Sequence, residues 1–258
     1  MAKPAKTERQ KVIDDIRKQQ KSADKRQGYL IVGVCGAIAL LIVGAAVYQP
    51  LKNSWDLRSY NDKALSEIGA PATACQDITT KPAAGNEEHV PDEQQVTYED
   101  APPAFGSHWN NAEAPARMST KFWREDDRPE LEALVHNLEH GFTIVWYDET
   151  IADDDEALTE LEAVGKKFPG TTNMRYKFYA APWTSDDEKE SGKFPKGQHI
   201  ALTHWSAGGA GQAQPDAAKQ QGVWQYCSEF SGEALEDFMV EYPYLDSPEP
   251  DAMSSQDL

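Results

Sequence analysis

Cysteine is scarce in this chain: three of 258 residues, Cys35, Cys75 and Cys227. Basic residues are scarce over most of it. Beyond residue 50 there are sixteen Lys and Arg against thirty-nine Asp and Glu. Such a surface excludes nucleic acid as a partner, because binding phosphates needs clustered Lys and Arg. The chain lacks a Gly-x-Ser-x-Gly nucleophile elbow. Its one glycine cluster, Gly208-Gly209-Ala210-Gly211, lacks the following Lys-Ser/Thr of a phosphate loop. The many carboxylates are scattered, so no pair stands out as acid and base. Long hydrophobic runs are absent too, with a single exception.

That exception is Tyr29 to Tyr48, YLIVGVCGAIALLIVGAAVY, twenty uncharged residues with a tyrosine at each end. As a helix rising 1.5 Å per residue it spans a hydrocarbon core of roughly 30 Å, and tyrosines suit the two interfaces. Residues 1–27 before it hold nine Lys and Arg against four acids. The positive side stays in the cytoplasm, so the expected localisation is a plasma-membrane protein with an inner N-terminus and an outer main domain. The competing reading is a cleaved signal peptide ending at Gly44-Ala45-Ala46. The apolar run exceeds the usual ~7–15 residues of such a segment, which favours an uncleaved anchor in the lipid bilayer. Cys35 has no lipobox before it. Outside the membrane only Cys75 and Cys227 are left, which allows one intramolecular disulfide in a compartment that permits it; the alternative is two buried thiols.

The expected organisation is a cytoplasmic basic segment (1–27), a transmembrane helix (28–50), a membrane-proximal helix (51–70), an extracytoplasmic domain (71–245) and a C-terminal tail (246–258). The membrane-proximal helix continues the anchor outward until Gly69 and Pro71. Residues 70–109 are rich in Pro, Gly and acids, with little periodicity. Arg128-Pro129 opens a helix over 129–140, closed by Gly141. Phe142–Tyr147 reads as a strand buried on both faces. A helix over 153–168 and a strand over 174–183 follow, which suggests a parallel crossover. A third strand covers 199–206, then a flexible turn at 206–214, helices at 216–230 and 233–242, and an extended tail. The fold class expected is α+β, with a small mixed sheet of three to five strands packed by helices.

All six histidines lie in the outer domain: His89, His108, His136, His140, His199 and His204. On a helix, His136 and His140 project from one face a turn apart, a common way to present two imidazoles to one metal. The zinc-hydrolase motif places Glu directly after the first His. Here Asn137 stands there and Glu139 precedes the second His, so the hydrolytic base is missing from its usual place. His108 ends Pro102–His108, PPAFGSH, where two prolines and a glycine brace the loop and preorganise a third ligand. His89 is a fourth candidate, and Glu139 a partner that holds an imidazole tautomer. Met118 and Met174 offer thioether sulfur. Imidazole with thioether favours copper; imidazole with carboxylate favours zinc or iron. The bland alternative is a helix end where the dipole favours histidine and a turn capped by His108.

These motifs, in this order, are Cys75, Glu88-His89-Val90, PP-x-x-G-x-H (Pro102–His108), HNLEHG (His136–Gly141), Tyr226-Cys227 and a C-terminal SPEP (Ser247–Pro250). The chain resembles an actinobacterial family of single-pass membrane proteins of unknown function over most of residues 70–253. Ala104-Phe105 and Ser107 depart from the family's usual first motif, and His204 stands where the family has alanine. The resemblance carries over no established catalytic activity; it points to extracytoplasmic metal handling. In layout and composition the chain is also similar to an accessory subunit of the actinobacterial cytochrome bc–cytochrome oxidase supercomplex.

Three functions stay open on the sequence. The first is a membrane-tethered metal-binding protein, copper preferred and zinc the alternative, serving a respiratory complex. The second is a structural or interaction subunit of a membrane complex, with the histidines as a polar network. The third is a zinc-dependent hydrolase, for which Glu139 is the nearby base in sequence.

Overall fold

The computed structural model describes residues 7–85, 87–110, 116–209 and 216–250. The chain forms two units, one up to Trp55 and one from Asp56 onward. The first is dominated by α1 (Glu8–Arg58), a helix of 51 residues. It is long and apolar enough to cross a membrane, with a window of mean hydropathy 2.8. A signal sequence passes the same test.

The second unit is the expected α+β domain. Its strands are β1 (Thr79–Pro82), β2 (His89–Val90), β3 (His108–Trp109), β4 (Thr143–Tyr147), β5 (Phe178–Pro182), β6 (Ile200–Ser206) and β7 (Gln221–Cys227). Its helices are α2 (Leu131–Glu139), α3 (Glu149–Ala152), α4 (Asp155–Gly165), α5 (Ser185–Ser191) and α6 (Gly232–Glu241). Five strands form one mixed sheet in the order β1-β7-β6-β4-β5. β4 and β5 pair in parallel across the α3–α4 crossover, and the other pairs are antiparallel. β2 and β3 form a separate parallel pair.

Both faces of the sheet are covered, which is why its strands read as continuous apolar runs. Side chains alternate across a strand. Val145, Phe178, Ala180, Ile200, Leu202 and Val223 pack on one side with Leu158, Leu161 and Val164 of α4 and Leu235 and Phe238 of α6. Ile144, Trp146, Tyr179, Ala181, Ala201 and Trp205 pack on the other with Leu131, Leu134, Val135 and Leu138 of α2. Met118 belongs to this second cluster.

Three stretches differ from the sequence reading. The helix after the anchor stops at Arg58 instead of continuing to residue 70. Leu57 turns inward, and the ammonium of Lys167 donates to the carbonyls of Tyr60, Asn61 and Lys63, which ends the helix. A short 3-10 turn, Leu65–Glu67, follows. Residues 216–230 hold a 3-10 turn (Ala217–Lys219) and β7, not a helix. Val223, Trp224, Tyr226 and Cys227 are strand formers, and β7 fits between β1 and β6 with Gly222 against the Phe105 ring. Residues 246–250, expected in a tail beyond the domain, pack into it: Asp246 and Ser247 are buried. The glycine-rich turn from Ala210 to Gln214 and the tail beyond Pro250 lie outside the described residues.

Cys75 and Cys227 are joined by a disulfide across a separation of 152 residues. A loop of that length carries a chain-entropy stabilisation of roughly 5 kcal/mol at most. Replacing both cysteines with alanine is expected to lower unfolding free energy by about 3–5 kcal/mol in a urea titration, with the far-ultraviolet spectrum kept.

Candidate metal centre

Three separate segments converge on one spot. α2 presents His136, Glu139 and His140 at i, i+3 and i+4, the spacing that aligns side chains on one helix face. The β2–β3 pair sets His89 directly opposite His108, so their rings meet edge to face with centroids 4.7 Å apart. His89, His108, His136 and Glu139 each bring one donor atom to the spot, all within 4.8 Å of one another. A second group, Glu139, His140 and Glu249, shares the glutamate.

The HNLEHG stretch is intelligible position by position. Asn137 fastens the helix: its amide donates to the Ala116 carbonyl and the Tyr179 hydroxyl, and its carbonyl accepts from the Ala116 amide. Leu138 faces the core. Gly141 takes φ +85°, and a Cβ there would lie 2.2 Å from the Tyr244 carbonyl oxygen. Only glycine allows both that conformation and that approach. On the other side, the Tyr98 ring packs against Gly106 and its hydroxyl donates to the Ser107 carbonyl. These contacts hold the loop that carries His108.

Hydrogen bonds fix the tautomers, a matter of inference from partners. His108 Nδ1 lies 2.8 Å from the Gly106 carbonyl oxygen. A carbonyl only accepts, so Nδ1 carries the proton and a neutral ring keeps its lone pair on Nε2. That Nε2 lies 3.0 Å from Glu139 Oε2, and His89 Nε2 lies 3.5 Å from the same oxygen. The same reasoning runs through His140. Its Nδ1 faces the Glu249 carbonyl at 3.2 Å and donates to it. Its Nε2 then accepts from His136 Nε2, 2.9 Å away. His136 therefore keeps a lone pair on Nδ1, which is buried and has no hydrogen-bond partner among the described residues.

Burial favours the neutral imidazole at His136 and His140. His136 is pushed down to about 3, by burial first and then by His140 and His108. Burial also lowers His140, aided by the Lys177 ammonium. Burial works against charge on Glu139, but a hydrogen bond from His108 and attraction to His108, His140 and His89 in their protonated forms outweigh it and hold its carboxyl below the usual range. Glu139 is 2% exposed and His108 fully buried, whereas the His89 side chain is 36% exposed. The centre has one wet edge, at His89.

The structure thus brings together all four histidines expected from the sequence, with different neighbours. Glu139 sits among the donors, and His140 stands behind His136. His199 is elsewhere, bound to Asp148. His204 is fully buried between the Phe142 and Asp246 carbonyls. Sequence reasoning missed Glu249 and the buried Lys177. Glu249 lies in the SPEP stretch, which the sequence marked only as a motif; Lys177 had no signal, being one lysine in an apolar strand.

The sequence profile of DUF3105, a family of proteins of unknown function, matches residues 89–256. The chain belongs to this family. The match begins at His89 and includes every residue of the centre. No curated protein and no solved structure matches the chain.

Protonating His136 opposes folding. Its folded pKa of about 3 lies below the ordinary 6.5, so the unfolded chain binds more protons between those values and stability falls as pH falls through that window. The depressed Glu139 carboxyl acts in the same direction. In metal-free protein the melting temperature is expected to drop from pH 6.5 toward pH 4. The drop is expected to be shallower in His136→Gln, as read by calorimetry at stepped pH.

Proposed function

We propose that this is a membrane-tethered metal-binding protein whose ion is held by His89, His108, His136 Nδ1 and Glu139, with His140 behind His136 as its orienting partner. The roles first expected for Glu139 and His140 are thereby exchanged. The observation that carries the reading is the meeting of acceptors. His108 Nε2 lies 3.0 Å from a buried carboxylate oxygen, an approach between two acceptors when the ring is neutral, and the buried His136 Nδ1 has no hydrogen-bond partner among the described residues. Donors at ~2.0–2.2 Å from one ion sit roughly 3–3.5 Å apart, which is the spacing of Glu139 Oε2 from both His108 and His89. With His108 neutral, a bound cation turns its approach to Glu139 into a pair of ligand bonds.

The donor set narrows the metal. Three imidazoles and a carboxylate suit zinc(II), iron(II) or copper(II); copper(I) prefers thiolate and thioether. In this reading the copper first expected from a thioether site is copper(II), and zinc stands beside it. A hydrolase is disfavoured, because the nearest carboxylate is itself a donor. The disulfide and the basic N-terminus favour an outer domain and an inner N-terminus. Service to a respiratory complex such as a cytochrome bc–cytochrome oxidase assembly belongs to the same proposal, and co-purification of the full chain from membranes tests it.

The deciding measurement is the metal content of the full-length chain in detergent, purified without a histidine tag. One ion per chain is expected. Glu139→Gln and His108→Ala are expected to abolish it, while His140→Gln keeps the stoichiometry and weakens affinity roughly 10–100-fold. A wild-type chain that takes up no zinc, copper or iron would leave the histidines as a structural network and refute the proposal.

A further inference from the structure

The C-terminal stretch from Asp246 to Pro250 is held against the centre by its backbone. Three of its carbonyls each meet a buried side-chain donor. His204 Nε2 donates to Asp246, His140 Nδ1 to Glu249 and Lys177 Nζ to Pro250. The Glu249 amide donates in return to the Glu139 carbonyl, satisfying one of the carbonyls that a helix end leaves open. Asp246 anchors the stretch through Ser206 Oγ and the amides of Ala207 and Gly209. The Glu249 side chain is itself largely exposed, so its main chain makes the attachment.

Two of these contacts bear on the ion. The Glu249 carbonyl fixes the proton of His140 on Nδ1, which makes Nε2 the acceptor for His136 and leaves His136 Nδ1 free to ligate. Lys177 Nζ donates to the His140 carbonyl at 2.6 Å and to Pro250 at 2.7 Å, clamping the helix end to the strap. Without the carbonyl at Glu249, His140 can carry its proton on Nε2, and His136 loses its preference for the ligating tautomer. Outer partners of metal-bound imidazoles act in this way.

We infer that residues 246–250 are a latch on the metal centre: through His140 they set the tautomer and orientation of His136, and loosening them speeds release of the ion. The inference rests on the metal-binding reading above. It makes His140 and Lys177 positioning residues.

The test compares cobalt(II) release from the full-length chain in detergent, measured by chelator challenge and by the visible ligand-field spectrum. One variant stops after Ser247, which keeps the Asp246 anchor and removes Glu249 and Pro250. A control stops after Pro250. Lys177→Met opens the clamp with the chain intact, and it decides the matter should the shorter chain fail to fold. Roughly 10–100-fold faster release is expected in the Ser247 stop and in Lys177→Met. A shifted cobalt spectrum, one ion per chain at saturation and full-length behaviour in the Pro250 stop are expected with it. Release within twofold of the full chain, with an unshifted spectrum in a folded variant, would overturn the latch and leave the metal site standing. A full-length chain that takes up no cobalt, zinc, copper or iron overturns the metal reading and the latch together.

Discussion

A buried carboxylate without a hydrogen of its own is the constraint around which the centre is built. Glu139 is almost fully enclosed, and enclosing a charge without compensation is prohibitive. The chain surrounds it with imidazoles from three segments, two of which present nitrogen lone pairs. An imidazolium at His108 would satisfy the carboxylate but would leave the His136 lone pair without a donor. A metal cation satisfies both with one charge. The domain's other devices serve the alignment this requires: Asn137 fastens the helix, the His89–His108 register joins two loops, and Gly141 lets the C-terminal strap pass.

The disulfide and the sheet address a different demand. The domain from Asp56 onward carries a large excess of acids, and the centre adds several buried polar groups, so the scaffold must be rigid by other means. The two apolar layers on the sheet supply burial, one under α4 and α6 and one under α2. The Cys75–Cys227 bond joins the segment before β1 to the end of β7. In this arrangement α2 has a dry face on Ile144, Trp146 and Tyr179 and a polar face on the ligands. The nine-residue helix is buried along its whole length.

Much of this was legible in the sequence where local rules apply. The helix ending at Gly141 follows from its apolar spacing and C-terminal glycine, the buried strand β4 from its apolar run, and the pairing of Cys75 with Cys227 from there being two cysteines beyond the long apolar run. The His136–His140 pair was visible as helical spacing. What was not legible depends on non-local contacts. The strand β7 was read as a helix because Ala217, Ala218 and the glutamines favour helix, whereas pairing with β1 and β6 decides the matter. That Glu139 meets His108 and His89 while His140 pairs with His136 was invisible because spacing puts both on one face. Residues 246–250 read as tail because they lack periodicity, whereas the Asp246 carboxylate and the carbonyls of Asp246, Glu249 and Pro250 bind non-local partners.

Ligands held by side-chain packing alone lose their ion when the packing melts. Here the alignment of His136 passes through a hydrogen bond to His140 and then to a peptide carbonyl, so a small displacement of the strap suffices to rotate a proton from one nitrogen to the other. The anchoring groups differ in strength. Asp246 makes three bonds through its carboxylate, while the Glu249 carbonyl is held by an amide-scale bond at 3.2 Å. The strap is thus tied at its root by the Asp246 carboxylate and at its end by the Lys177 ammonium, with the longer Glu249–His140 bond between them.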